Sequence, residues 1–321
     1  MTNPFIVAEI GANHLGDYER AKDLVLAASN IGADAVKFQT WTPDSMCISP
    51  EYELDSGPWK GRKLFDLYRE AFLPWAWHQP LFELAREIGL VPFSAAFDIQ
   101  AVDFLETLGV DRHKCASFEL TDLRLIRHMA STGKTVILST GMATQDEMDA
   151  AWHAAEKAPK RLLLKCTSAY PAEPEDANLC DLAFFNGISD HTQGIGIAVA
   201  AAGMGAEYIE KHLTLSRADG GLDAGFSMEP NEFRQMVTEC RRAASAWGKT
   251  TRYTPAKGED RRLRRSLWVN HDVKRGEPLQ LGINVVTARP CLGLHPATPL
   301  TNKIARRDIS AGTPLTAELL A

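Results

Sequence analysis

A chain of 321 residues, 45% hydrophobic and 24% charged, with 23 glycines and 17 prolines, has the balance of a globular protein with a full core, which excludes collagen-like and low-complexity classes. Its net charge of −6 argues against nucleic acid as a partner. The longest uncharged apolar run, residues 194–206, is too short and too rich in small side chains to cross a bilayer, so no membrane association is expected.

In chain order, short β-rich runs recur at residues 5–10, 33–39, 91–95, 114–118, 135–139, 162–166, 185–188 and 208–213. Amphipathic stretches at 18–30, 77–88, 99–108, 146–158 and 231–247 lie between or after them. Eight β–α alternations predict a closed parallel (β/α)8 barrel, the TIM-barrel form of the α/β class, over residues 1–249. An open doubly wound sheet is the alternative, and no GxGxxG follows the first strand to support it. A long insertion after strand two, residues 43–74, is expected to be a lid or binding loop. The polar stretch 250–262 predicts a linker. Short strands with turn signals at 266–269, 274–277, 285–288 and 311–313 predict a small β-rich domain over 263–321. From Ala256 onward, eleven Lys/Arg stand against six Asp/Glu, a net +5 that leaves −11 on the rest. Such a contrast suits self-association or an anionic substrate. Six scattered cysteines without a CxxC pair predict neither disulfides nor a zinc site and favour a reducing cytoplasm. Met1-Thr2-Asn3-Pro4 has no basic stretch, so no signal peptide is expected.

Barrel chemistry sits at the carboxyl ends of the strands, and polar residues collect there. They are Glu9, Lys37, Gln39, Ser94, Lys114, Ser117, Glu119, Ser139, Ser168, Tyr170, Ser189, His191, Glu210 and His212. Lys37 and Lys114, with Ser94, Ser117, Ser139 and Ser189, suit a phosphate and a carboxylate. An unpaired lysine inside a barrel strand is costly, so an anion reading is preferred to a snorkelling surface residue. Lys165 and Lys211 are weaker candidates, because Cys166 and His212 compete for the inward face. His191 and His212 end adjacent strands, where two imidazoles could share a divalent ion. On spacing alone the preferred reading is two ordinary hydrogen-bonded histidines.

The ordered motifs AEIGANH (8–14), VKFQT (36–40), KCASFE (114–119), ILSTGM (137–142), KCTSAYP (165–171), ISDHT (188–192) and EKH (210–212) resemble the sialic acid synthase family across nearly the whole chain. LYREA (67–71), PWAWH (74–78), AVDFLE (101–106) and GLHP (293–296) are most similar to its pseudaminic acid synthase branch. The resemblance implies a barrel followed by an antifreeze-like (SAF) domain. It also implies condensation of phosphoenolpyruvate with the open-chain aldehyde of an N-acylated amino sugar, releasing phosphate. Lys37, Lys114, Ser117, Ser139, Ser168 and Ser189 would hold phosphoenolpyruvate. Gln39, Tyr170, Asp223 and Arg289 would contact the sugar, Arg289 from a homodimer partner whose SAF domain covers this barrel. His191 and His212 would bind Mn²⁺, or Mg²⁺ or Co²⁺, and Glu9 and Glu119 would move protons or stabilise charge. Three positions depart from the family pattern: Ala95 and Leu222 stand where Thr and Pro are usual, and Cys291 where Gly is usual. They put the acceptor in question between the pseudaminate, legionaminate and N-acetylneuraminate precursors. Two other readings compete, a Schiff-base aldolase using a barrel lysine and a non-catalytic carbohydrate-binding relative.

Overall fold

The computed structural model describes residues 3–57, 59–246 and 258–321. Two compact units divide the chain, Met1–Lys249 and Thr250–Ala321, each with its own hydrophobic core.

In the first unit, β1 (Phe5–Glu9), β2 (Ala35–Thr40), β3 (Val91–Ala96), β4 (Arg112–Cys115), β5 (Thr135–Ser139), β6 (Arg161–Cys166), β7 (Gly187–Asp190) and β8 (Tyr208–His212) pair in parallel and in sequence order. Strand β8 returns to β1 and closes the barrel. Around it run α1 (Tyr18–Asn30), α2 (Pro43–Met46), α3 (Leu64–Ala71), α4 (Trp75–Glu87), α5 (Ile99–Thr107), α6 (Leu123–Ser131), α7 (Gln145–Ala154), α8 (Gly196–Met204) and α9 (Pro230–Ala246). Asp17, Asp98, Asp122 and Thr144 accept backbone N–H bonds in the first turns of α1, α5, α6 and α7, filling the donors a helix start leaves open.

Strand alternation builds two layers. Ile6, Ala8, Val36, Phe38, Val136, Leu138 and Ile209 pack against the helices. Val7, Ala35, Phe93, Ile137, Leu162, Leu164 and Tyr208 fill the barrel interior. Two residues further along the same inward faces come Glu9, Lys37, Ala95, Ser139, Cys166 and Glu210, so the apolar plug ends where the polar site begins. At the base of β7, a Cβ on Gly187 would run into the backbone of Tyr208, so only glycine lets these two strands approach. On the outer face, Lys211 Nζ bridges Asp190 Oδ2 (2.7 Å) and the Thr192 carbonyl (2.5 Å), all three residues buried. This pair lies directly behind the strand ends that carry His191 and His212.

Several sequence expectations shift. Strand β4 begins and ends earlier than residues 114–118, and Ser117–Glu119 form a 3-10 turn instead. Strand β7 lies two residues later than 185–188, because Phe184 closes the preceding 3-10 turn (Leu179–Phe184). Helices α6 and α8 were not anticipated; α8, GIAVAAAGM, is apolar all round and so has no periodicity to read. The insertion 43–74 contains α2 and α3. Ser94 faces outward, bonded to Thr40 Oγ1 (2.7 Å), which in turn meets His78 Nε2 (2.8 Å); this corrects its reading as a phosphate ligand. Lys211, as described, is likewise turned away from the barrel interior.

In the second unit, β9 (Ser266–Val269) and β10 (Val285–Ala288) pair antiparallel over a core of Leu267, Val269, Val273, Leu279, Val285, Ala305, Ile309, Leu315 and Leu319. Residues 274–277 and 311–313 are turns rather than strands, beside isolated bridges at Val273–Ile309 and Trp268–Pro314. Of the expected linker 250–262, residues 250–257 lie outside the described residues, as does residue 247 at the end of the last predicted helix. Residues Arg261–Leu263 form a 3-10 turn.

Candidate active site

The inward residues at the carboxyl ends of the strands assemble a buried charge cluster. Lys37 Nζ lies 2.8 Å from Glu9 Oε2 and 3.2 Å from Glu210 Oε1. Glu9 Oε1 accepts from Gln39 Nε2 (2.7 Å) and from the Gly11 N–H (3.1 Å). The approach of Lys37 to Glu9 Oε2 is off the hydrogen-bonding direction, since no hydrogen bond completes that oxygen. Glu210 also accepts from Ser189 Oγ and Tyr208 Oη, each at 3.1 Å. Burial opposes the charge on Lys37, but Glu210 and Glu9 outweigh it and hold the ammonium above its ordinary value. Burial likewise opposes the Glu210 carboxylate, and Lys37 and Lys114 override it. Glu9 is the partner that yields. Burial, helped by Glu210 and opposed by Lys37, pushes it to about 7.

Lys114, across the barrel, donates to Ser139 Oγ (2.6 Å) and to the Cys115 carbonyl (3.0 Å). Burial lowers its pKa. Beside it, Gly141 donates its N–H to Ser117 Oγ (3.1 Å), and a Cβ on that glycine would collide with Ser168 Oγ and crowd Ser117 Oγ at 2.9 Å. The missing side chain is what lets two hydroxyls and an N–H converge. Ala95 sits in register with both Lys114 and Gln39, so the hydroxyl usual at that position is absent next to the amine. Glu119 closes this side. Its Oε2 is buried without a partner, and burial pushes the carboxyl to about 7.

At the mouth, the His191 and His212 rings lie 5.3 Å apart. His191 Nδ1 meets the Thr167 carbonyl at 2.9 Å, which fixes a proton there and leaves Nε2 with the lone pair when the ring is neutral. Burial works against charge on His191, but the Cys166 sulfur at 3.9 Å, as thiolate, and the Thr167 carbonyl hold its pKa up. His212 Nδ1 is buried with no hydrogen bond and lies 3.6 Å from Asp223 Oδ2. Burial first, then neighbouring cations, keep this imidazole neutral. Asp223 is itself held by the Ala12 N–H (2.8 Å). Gly11, at φ 51°, leaves the space between Asp223 and His212 open; a Cβ there would strike Asp223 Oδ2. An orphaned imidazole nitrogen and a second imidazole beside it are two nitrogen donors of the kind that suit Mn²⁺ or a similar ion. Among the described residues no group of three or more His, Cys, Asp or Glu is arranged to hold a metal, so water and substrate oxygens would complete such a shell.

An aromatic wall lines the mouth. Phe226 packs on His212 (4.9 Å) and His191 (6.0 Å), Tyr170 on Phe226 (5.0 Å) and His191 (4.6 Å), and Trp59 of the insertion on Tyr170 (6.0 Å). Thirteen of the fourteen predicted site residues thus belong to the barrel unit. Arg289, one residue past β10, belongs to the other unit and is exposed. Glu210 was named from sequence only as a polar strand end, without a role, and Tyr208, Trp59 and Phe226 were not singled out at all. Only Glu210 carried a readable signal, since it shares the inward parity of His212.

Residues 24–252 match the NeuB family and residues 264–321 the SAF domain. The chain is 39% identical to a pseudaminic acid synthase of Campylobacter jejuni subsp. jejuni serotype O:23/36, covering 97% of this chain and 95% of that protein. A pseudaminic acid synthase of Helicobacter pylori is also 39% identical, over 98% and 97%. An N,N'-diacetyllegionaminic acid synthase of Legionella pneumophila is 35% identical, over 97% and 93%. Among solved structures, an N-acetylneuraminic acid synthetase of Leptospira borgpetersenii in complex with citrate superposes with a TM-score of 0.73 at 31% identity, over 80% of this chain and 89% of that one. With family and domain matches that together span most of its length, this chain belongs to the NeuB family, its barrel followed by a SAF domain.

Proposed function

We propose that the protein is a nonulosonic acid synthase. It joins phosphoenolpyruvate to the open-chain aldehyde of an N-acylated amino sugar, most specifically 2,4-diacetamido-2,4,6-trideoxy-L-altrose, as a pseudaminic acid synthase. The observation that carries this reading is two buried lysine ammoniums facing two imidazoles across one barrel mouth. The first pair suits a phosphorylated carboxylate and the second a carbonyl acceptor. Lys114 with Ser117, Ser139 and Ser168 offers charge and neutral donors to one anionic group, and Lys37 with Ser189 serves the other. Held by His191 and His212, a divalent ion would polarise the acceptor carbonyl. The new bond joins C3 of the donor to the aldehyde carbon, whose oxygen takes up a proton. Water adds at C2 and gives up a proton, and the C2–O bond breaks to release phosphate.

Glu9 and Glu119 are both pushed to about 7, and Glu119 is the better placed proton carrier because its inner oxygen has neither a hydrogen bond nor an ion pair. Glu9 is engaged by Gln39, Gly11 and Lys37 and so orients them. Gln39, Tyr170 and Asp223 are assigned to the sugar. Arg289 would serve the barrel of a homodimer partner, which suits the +5 charge on its segment. A cytoplasmic location is part of this reading, and no helix among the described residues is long and apolar enough to cross a membrane.

The test is phosphate release from phosphoenolpyruvate with three acceptors: the diacetamido-trideoxy-altrose, its legionaminate-pathway counterpart and N-acetylmannosamine. The first should give the highest kcat/KM, and no release with any of them would remove the function. The lowered pKa of Lys114 is the one feature favouring a Schiff-base aldolase. Borohydride trapping of a keto acid on that lysine would replace the synthase, whereas loss of turnover in EDTA and recovery with Mn²⁺ would support it.

A further inference from the structure

Glu210 is buried in register with Ser189 on β7 and Val7 on β1, and it uses both carboxylate oxygens. Oε1 accepts from the Ser189 hydroxyl at 3.1 Å and lies 3.2 Å from the Lys37 ammonium. Oε2 takes the Tyr208 hydroxyl at 3.1 Å. Glu9 also stands 2.8 Å from the same nitrogen, so two buried carboxylates share one ammonium, at a desolvation cost. Balancing the charge of Lys37 does not account for the other groups that Glu210 touches. Geometry supplies a further role: Glu210 joins β2 to β7 across two intervening strands and touches one donor ligand on each.

We infer that Glu210 is a positioning residue of the phosphoenolpyruvate site, fixing the Lys37 ammonium and the direction of the Ser189 hydroxyl, with Tyr208 holding its second oxygen. The inference rests on the donor site proposed above. A serine has one hydroxyl proton, and here Glu210 receives it. Ser189 therefore meets the donor with lone pairs. It suits a protonated phosphate oxygen or a bound water, while Lys37 supplies the N–H bonds that a bare anion needs.

The test is equilibrium binding of phosphoenolpyruvate by calorimetry to the full chain, at fixed Mn²⁺, for the native protein and Glu210→Gln, Tyr208→Phe, Ser189→Ala and the Ser189→Ala/Glu210→Gln double variant. Glu210→Gln should weaken binding about 10- to 100-fold, with the acceptor KM changed less than about threefold. Tyr208→Phe should weaken it about 2- to 10-fold. In the Glu210→Gln background Ser189→Ala should cost far less than it does alone, because the two act as one unit. Binding by Glu210→Gln within about twofold of the native protein, or additive costs in the cycle, would overturn the inference. If Glu210→Gln fails to fold, unchanged binding by Tyr208→Phe overturns it instead. Native protein that does not bind phosphoenolpyruvate removes both the donor site and this inference; native binding with an unaffected Glu210→Gln removes this inference alone.

Discussion

Glu119 holds one carboxylate oxygen away from water with no partner, and that gives it two separable signatures. Its pKa, raised by burial to about 7, should appear as a limb near neutrality in the pH profile of kcat/KM, and Glu119→Gln should remove that limb. The same shift acts on stability. A carboxyl raised in the fold binds more protons there than in the unfolded chain between pH ~4.5 and ~7, so it destabilises progressively as pH rises through that window. Glu119→Gln should therefore stabilise the protein above pH 7, on the order of 2–3 kcal/mol, and give no gain below pH ~4.5. Chemical denaturation at both pH values checks the sign. Ala95 offers a prediction of opposite kind. Restoring a hydroxyl with Ala95→Thr or Ala95→Ser beside Lys114 should tighten phosphoenolpyruvate binding by about 2- to 10-fold, the worth of one neutral hydrogen bond. At this scale the sequence was legible wherever strand parity decided the matter. Lys37, Lys114, Ser139 and His212 point where alternation put them, while Ser94 is one residue out of phase and faces Thr40. What alternation does not contain is partnership. Nothing in the order of residues says that Lys37 meets two carboxylates, since those come from β1 and β8.

The elements divide in the same way. Strand β5, TVILS, is a short apolar β-branched run, and its predicted ends coincide with the observed ones. Strand β4 was misread because KCASF alternates like a strand, whereas the chain turns at Ser117 to bring its hydroxyl to Gly141. The insertion between β2 and α4 was recognisable by length alone, yet its use depends on one residue. Trp59 lies against Tyr170, at the end of an aromatic wall reaching both imidazoles, and such a wall suits the methyl and acetamido groups of a deoxy sugar. Trp59→Ala should raise the KM of the diacetamido-trideoxy acceptor about tenfold or more while leaving phosphoenolpyruvate affinity within about twofold. Equal losses for both substrates would show that the insertion does not read the acceptor.

For the whole molecule, the division into two units with separate cores frames two experiments. His191→Ala and His212→Ala should each abolish Mn²⁺ binding measured by equilibrium dialysis, with unchanged far-ultraviolet circular dichroism; retained binding in both would remove the metal assignment. Arg289→Ala should raise the acceptor KM. If Arg289 serves a partner's barrel, mixing it with His212→Ala protein should restore turnover that neither preparation has at low acceptor concentration. No recovery on mixing would confine Arg289 to its own chain. The Lys211–Asp190 pair behind β7 and β8 carries a different consequence, one for descent rather than catalysis. Losing either partner alone strands a buried charge with only Thr192 to bond it, a penalty of about 3–5 kcal/mol, whereas replacing both members of a buried pair with apolar residues is often neutral or better. A lineage drifting away from this pair must cross a deep fitness valley one nucleotide change at a time, so the two positions should be exchanged together or not at all.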